Sequence, residues 1–264
     1  MPPAPRSAAY FDGWYADQAA APTVAEITNR HMGFPADIRA GVVAAEAITE
    51  IARELRLSPG GTLVDLACGR GCYGLLIARD AGARVIGVDF SAQAVREARE
   101  QAARLWADEA EFLVGDLASC GLPDASADAV LCTDAIQFPD EPAAGYAEIR
   151  RVLRPGGRVA LTCWEPVEAG DQRLTARLRR VDLAAGLAGA GFGDIQVRDK
   201  PSWLDRERSL WEEAAAIDPG GDPALKSLHE EAIRSLEHID LIRRVLAVAT
   251  APGGPAAPGG PTGA

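Results

Sequence analysis

The chain has 264 residues, 48% of them hydrophobic and 25% charged, with a formal net charge of −11. That length buries enough apolar surface for one α/β domain. The acidic balance argues against a nucleic-acid partner, whose phosphates need a basic footprint, and no apolar run approaches the ~20 residues that span a bilayer. The N-terminus lacks the apolar core of a signal peptide, so the cytoplasm is the expected location. Cys68, Cys72, Cys120, Cys132 and Cys163 are odd in number, and no histidine is near the Cys68/Cys72 pair in sequence. They predict neither a disulfide framework nor a metal site.

Residues 1–9 read as a frayed tail. Tyr10, Phe11, Trp14 and Tyr15 then concentrate aromatic surface in one short stretch. Such a stretch is either a helix docking an aromatic face on the core or a lid over a ligand site. Residues 23–34 continue it and contain His31, which reads as a structural histidine or a base in that lid. Apolar residues at Ile38, Val42, Ala45, Ile48, Ile51, Ala52 and Leu55 predict one long helix over 37–57, stopped by Ser58-Pro59-Gly60-Gly61.

Leu63, Val64, Leu66 and Ala67 form a nearly unbroken apolar run, the pattern of a strand buried on both faces. Gly69, Gly71 and Gly74 follow at once, and an amphipathic stretch begins at Leu75. Strand, glycine-rich turn and helix make a nucleotide-binding opening, because glycines let a ligand approach the backbone with no Cβ in the way. A second apolar strand, Val85 to Val88, ends on Asp89, 18 residues beyond Gly71. A ribose-binding acid belongs at about that distance in a βαβ unit.

Ser91 is a plausible cap for the next helix, whose apolar face carries Ala94, Val95, Ala98, Ala102, Leu105 and Trp106. Phe112 to Val114 is the third strand, followed by Gly115-Asp116-Leu117. The turn at 123–128 leads into a fourth strand, Ala129 to Cys132. Ligands of open α/β sheets sit at the carboxyl ends of strands, so Thr133, Asp134 and Gln137 should face one. A helix from Pro142 stops at Arg154-Pro155-Gly156-Gly157, and a fifth strand runs over 158–163. Residues 173–187 are basic and amphipathic, and a sixth strand follows at 194–198. Helices over 201–217 and 222–239 read as an insertion before a last strand at 245–249. Residues 251–264 are low in complexity and predict disorder.

The literal match to G-x-G-x-x-G, Gly69 to Gly74, suggests a nicotinamide or flavin cofactor. Asp65, four residues before the first glycine, would repel the dianionic pyrophosphate held at such a turn. It would instead attract an ammonium and a sulfonium, and S-adenosylmethionine (SAM) has both. VDLACGRG at 64–71, with Asp89 and with EIRRVLRPGGRVAL at 148–161, resembles the class I SAM-dependent methyltransferases of small molecules, of the ubiquinone/menaquinone methyltransferase kind.

The resemblance implies a Rossmann-like, doubly wound α/β fold: a mostly parallel seven-stranded sheet with an antiparallel last strand. It implies a helical cap or lid over 1–57 and a SAM-binding domain over 58–250, with the helical insertion at 199–240. In such a protein Asp65 and Gly69 hold the methionine end, Asp89 the ribose hydroxyls and Asp116 the adenine amine, with Phe90 and Leu117 on either side of the ring. Ala67, Gly71, Gly115, Thr133 and Gln137 complete the cofactor set. Relatives often carry a histidine in the 133–138 run, where this chain has Ile136 and Gln137. His31, Tyr15 and Asp134 are left as catalytic candidates. The implied reaction methylates a small acceptor, a secondary metabolite or quinone-like molecule, and leaves S-adenosylhomocysteine. The alternatives are a SAM-binding cyclase or binding module of the same fold and, behind them, an NAD-dependent oxidoreductase. The sequence is silent on oligomeric state.

Overall fold

The computed structural model describes residues 7–20, 22–105 and 109–253. Three N-terminal helices, α1 (Ala8–Ala20), α2 (Pro22–Met32) and α3 (Ala45–Leu55), precede the sheet. The chain then alternates through β1 (Thr62–Leu66), α4 (Cys72–Ala81), β2 (Arg84–Asp89), α5 (Ala92–Leu105), β3 (Ala110–Val114), β4 (Ala127–Thr133), α6 (Pro142–Val152) and β5 (Leu153–Pro166). Two short helices, α7 (Ala176–Arg179) and α8 (Leu183–Gly189), lead to β6 (Gly193–Asp199). Helices α9 (Pro201–Ala216) and α10 (Pro223–Leu236) and a 3-10 turn (Ile239–Leu241) intervene before β7 (Ile242–Thr250).

The seven strands form one sheet in the order β3-β2-β1-β4-β5-β7-β6. Neighbours pair in parallel from β3 to β5, and β7 runs antiparallel to both β5 and β6. This is the doubly wound sheet the resemblance implies. β1 is buried along its whole length, as a central parallel strand covered on both faces must be. One face packs Leu63, Leu131, Ala160, Leu246 and Val248 against the N-terminal helices, α4, α5, α9 and α10. The other packs Val64, Val130, Leu161, Val245 and Ala247 against α6 and α8. No helix among the described residues is long and apolar enough to cross a membrane.

The helix expected over 37–57 begins only at Ala45. Side chains from elsewhere capture the backbone before it: Asn29 Nδ2 donates to the carbonyls of Pro35 and Ile38 at 2.8 and 2.6 Å. Tyr73 Oη accepts from the amides of Gly41 and Val43 at 2.8 and 3.1 Å. With those carbonyls and amides bonded to side chains, they are not free for an i to i−4 ladder there. The basic stretch at 173–187 is two helices, each with its own cap. Thr175 Oγ1 accepts from the Leu178 amide and Asp182 Oδ1 from that of Ala185, and such caps start helices anew. The N-terminal helix starts at Ala8, inside the stretch read as a tail. At the other end Ala251 is buried and exchanges backbone hydrogen bonds with Gly156 and Gly157. Trp106, expected on the face of α5, and residues 254–264 of the expected disordered tail lie outside the described residues.

Phe112, buried on β3, fills the space beside the neighbouring strand. A Cβ at Gly87 would lie 2.4 Å from its ring and 2.9 Å from Cys68 Sγ. Gly87→Ala is therefore expected to destabilise the protein by about 1–3 kcal/mol through overpacking. Urea denaturation should show a lower midpoint with an unchanged slope.

Candidate cofactor and acceptor site

β1, β2 and β3 run in parallel, so their carboxyl ends share one edge of the sheet, and the residues following them gather there. Asp65, 1% exposed, is next to the end of β1. Its Oδ2 accepts from the Gly74 amide at 3.1 Å, in the first turn of α4, where unpaired N–H groups favour negative charge. A Cβ at position 74 would fall 2.6 Å from that oxygen, so glycine is what admits the carboxylate. The other oxygen, Oδ1, is buried and has no hydrogen-bond partner among the described residues. Burial pushes the Asp65 carboxyl up to about 8; the Gly74 bond opposes this and nearby Asp89 adds to it.

The turn itself is strained. Ala67 has φ 55°, the left-handed region that costs a residue with a side chain roughly 1–3 kcal/mol and clusters at functional sites. Asp89 pins the turn from β2: its Oδ2 accepts from the Gly69 amide at 2.8 Å and its Oδ1 from the Ser91 amide at 2.9 Å. Burial raises this carboxyl above the usual carboxylate value, opposed by those two bonds. Ser91 Oγ in turn accepts from the Ala94 amide at 3.1 Å, as a helix cap does. The Gly115 amide donates to the Asp89 carbonyl at 3.0 Å, which ties the end of β3 to the end of β2. Asp116 is exposed, its Oδ1 accepting from the Ala118 amide at 2.7 Å, while Leu117 is buried.

Helix α1 lies across this opening. Tyr15 Oη is 2.8 Å from where a Cβ of Gly69 would be. Arg70 stacks under the Tyr15 ring at 5.0 Å and the Trp14 ring at 5.8 Å, with its Nε donating to Glu97 at 2.7 Å. Phe11 meets Phe90 at 5.3 Å and Phe138 at 5.8 Å between ring centroids. Asp12 accepts from Ser91 Oγ at 2.6 Å and from the Gln93 amide at 3.0 Å. Burial, with Asp89 adding, holds the Tyr15 hydroxyl far above its ordinary value. It therefore keeps its proton and can donate a hydrogen bond but not act as a base.

Thr133, Asp134 and Gln137 follow β4, which pairs with β1, and so stand at the same edge. Asp134 has φ 56°. Its Oδ1 accepts from Thr162 Oγ1 at 2.7 Å and its Oδ2 from Arg244 Nη2 at 2.6 Å. Gln137 is buried, donating to the Asp134 carbonyl at 2.7 Å and accepting from Cys163 Sγ at 3.2 Å. It also borders a cavity of about 410 Å³ between α6 and α8, lined in part by Tyr146, Val181 and Gly186. His31 is placed elsewhere, between α2 and α9, where its Nε2 is 2.7 Å from Glu213 Oε2. Among the described residues no hydrogen bond or ion pair joins it to Tyr15 or Asp134.

Sequence reasoning missed two groups. The lid's polar fastening, Asp12 to Ser91, joins residues 79 apart, which no local pattern reveals. Arg244 and Glu207, beside Asp134, had a faint signal: a charge at the head of an apolar strand, and a glutamate four residues from Trp203 and from Trp211 on a helix.

The donor set suits a cofactor with a cationic amino-acid end. Asp65 Oδ1 is a buried acceptor without a donor, and Asp89 retains lone pairs for hydroxyls. A family model described as "Methyltransferase domain" matches residues 64–161. The chain is 34% identical over 209 residues to the trans-aconitate 2-methyltransferase of Azoarcus sp., covering 71% of this chain and 80% of that protein. It is 31% identical over 157 residues to the arsenite methyltransferase of Halobacterium salinarum, covering 54% of this chain and 40% of that one. Among solved structures, the [4+2]-cyclase SpnF superposes with a TM-score of 0.67 at 25% identity, covering 83% of this chain and 82% of the other. The chain spans 30% to 55% of the length of the first curated relatives it matches. With the sheet order and the glycine turn, these likenesses identify the chain as a member of the SAM-dependent methyltransferases, with S-adenosylmethionine as its cofactor.

Proposed function

We propose that this protein transfers the methyl group of SAM to a small organic acceptor. The observation that carries the reading is the buried, unpartnered Oδ1 of Asp65, beneath a turn whose other carboxylate is Asp89. A dinucleotide pyrophosphate would meet the Asp89 carboxylate and hold Asp65 un-ionised, whereas an ammonium ionises Asp65 and meets an acceptor. When bound, SAM supplies a methyl already activated by its sulfonium, so the protein's work is alignment and exclusion of water. Asp65 and the Gly69 backbone take the methionine end, with Ala67 and Gly71 shaping the turn. Asp89 accepts from the ribose hydroxyls and Asp116 from the adenine amine, while Phe90, Gly115 and Leu117 border the ring. Thr133 and Gln137 lie toward the transferring methyl. Helix α1 covers the cofactor through Tyr15 and Phe11, and the 199–240 insertion roofs the acceptor. Of the three catalytic candidates Asp134 is preferred, because Tyr15 keeps its proton and His31 is paired with Glu213. Five free, buried thiols suit a reducing, cytoplasmic setting.

A second reading has its own support in the likeness to the cyclase: SAM held as a structural ligand while another reaction proceeds, since a fold does not fix its chemistry. Calorimetric titration with SAM, S-adenosylhomocysteine and NAD, followed by a mass screen of acceptors, separates the cases. Binding of the first two, with a product heavier by one methyl and release of S-adenosylhomocysteine, supports transfer. Bound SAM with a product of unchanged mass supports the second reading, and binding of NAD alone sinks both.

Two further outcomes are expected. Asp65 is protonated in the free protein up to about pH 8 and must ionise to receive an ammonium. Binding near pH 6.5 should release about one proton, and affinity should rise as pH approaches 8. Titration in buffers of different ionisation heat checks this, and Asp65→Asn should bind weakly with no proton released. Asp89→Asn should weaken SAM binding by about 1.5–3 kcal/mol through loss of charged hydrogen bonds; unchanged affinity in the folded variant would remove the ribose assignment.

A further inference from the structure

At the carboxyl ends of β4 and β5 lies a buried cluster of charge that cofactor binding does not use. Arg244, 1% exposed, opens β7 opposite Trp164 of β5. Its Nη2 donates to Asp134, its Nε is 3.8 Å from Glu207 Oε2, and its guanidinium carbon stands 4.3 Å over the Trp164 ring. Glu207 comes from α9 and accepts the indole N–H of Trp164 at 2.9 Å and of Trp211 at 3.1 Å. Two edges of the guanidinium thus face carboxylates. Nε and Nη1 are both buried and make no hydrogen bond among the described residues, and Nη1 is the one that faces neither carboxylate.

A buried cationic N–H without an acceptor costs roughly 1–3 kcal/mol or more, so the position calls for a lone pair. What brings it is constrained by charge. One guanidinium already faces two carboxylates, which leaves no net attraction for a carboxylate or a phosphate. A cation would confront the N–H donors of Nη1. A neutral hydroxyl satisfies both demands, because it accepts from Nη1 and donates to a carboxylate. Asp134 is the most exposed of the three charged groups. The Asp134 side chain is 14% exposed against 1% for Arg244 and 5% for Glu207, and Asp134 stands at the edge shared with the glycine turn.

We propose that Arg244 and Asp134 form the acceptor subsite and that the acceptor presents an uncharged hydroxyl or enol oxygen. This rests on the methyltransferase reading and narrows it to methylation at oxygen. The acceptor oxygen accepts from Arg244 Nη1 and donates its proton to the Asp134 carboxylate. As the new O–CH3 bond forms, the S–CH3 bond breaks with its electron pair left on sulfur, and the acceptor's proton is left on Asp134. Glu207 is a positioning residue, holding the guanidinium and both indoles.

The test uses the full-length wild-type protein with 15N-labelled arginine, saturated with S-adenosylhomocysteine. The Arg244 side-chain resonance is assigned through its backbone and followed during titration with phenol, benzyl alcohol, benzoate and benzylamine. These probes share a ring and differ in their polar head. The hydroxyl probes should shift the Arg244 signal at concentrations at least tenfold lower than benzoate or benzylamine. A stronger or equal response to benzoate or benzylamine overturns the hydroxyl assignment. No response to any probe overturns the subsite and leaves Nη1 served by trapped water. Calorimetry of S-adenosylhomocysteine binding comes first: failure there is failure of the methyltransferase reading, whereas binding without an Arg244 response removes this inference alone.

Discussion

The fold depends most on how one carboxylate is held. Asp65 is deep in the sheet, bonded through one oxygen to the first turn of α4 and unpartnered at the other. Burying a carboxylate this way keeps it protonated, and the strained Ala67 next to it adds cost. Neither feature helps the isolated chain fold. Both make sense if the site is built for a cation that ionises Asp65 and supplies the missing donor, so that stability given up in the free protein is recovered as affinity. Gly74 and Asp89 serve that arrangement, one by leaving room and the other by fixing the Gly69 amide.

The N-terminal helix is fitted to the same place. Its aromatic side chains meet the glycine turn, Phe90 and Phe138, and Asp12 fastens it by accepting from Ser91 Oγ and the Gln93 amide. Asp12 therefore shares the N-terminal end of α5 with Asp89, which accepts from the Ser91 amide. Contacts of α1 and of Asp89 thus converge on the same few groups at the start of α5.

The proposed acceptor side is organised differently, by strands far apart in sequence. Antiparallel β7 brings Arg244 beside Trp164, and the helical insertion before it brings Glu207 to the same point. A parallel last strand would have placed that arginine at the opposite end of the sheet. The reversal of β7 thus has a chemical consequence as well as a topological one.

What the sequence determined by itself is local. Apolar runs of strand length, glycines directly after one of them, and acids at strand ends fixed the βαβ series and pointed to Asp65 and Asp89 as candidates, because each signal spans a few neighbouring residues, whereas Asp116 was proposed only through the family resemblance. The segment 37–44 was misread as helix because side chains outside it take its backbone groups: Asn29 the Ile38 carbonyl, Gln101 the Arg39 amide and Tyr73 the amides of Gly41 and Val43. Tertiary structure alone decided that His31 faces Glu213, that Tyr15 packs half-buried against the glycine turn, and that Asp134 meets Arg244 across 110 residues of chain. A periodic pattern records which face of an element is apolar. It does not record which polar group another element delivers to that face, and the chemistry of the acceptor site rests on that delivery.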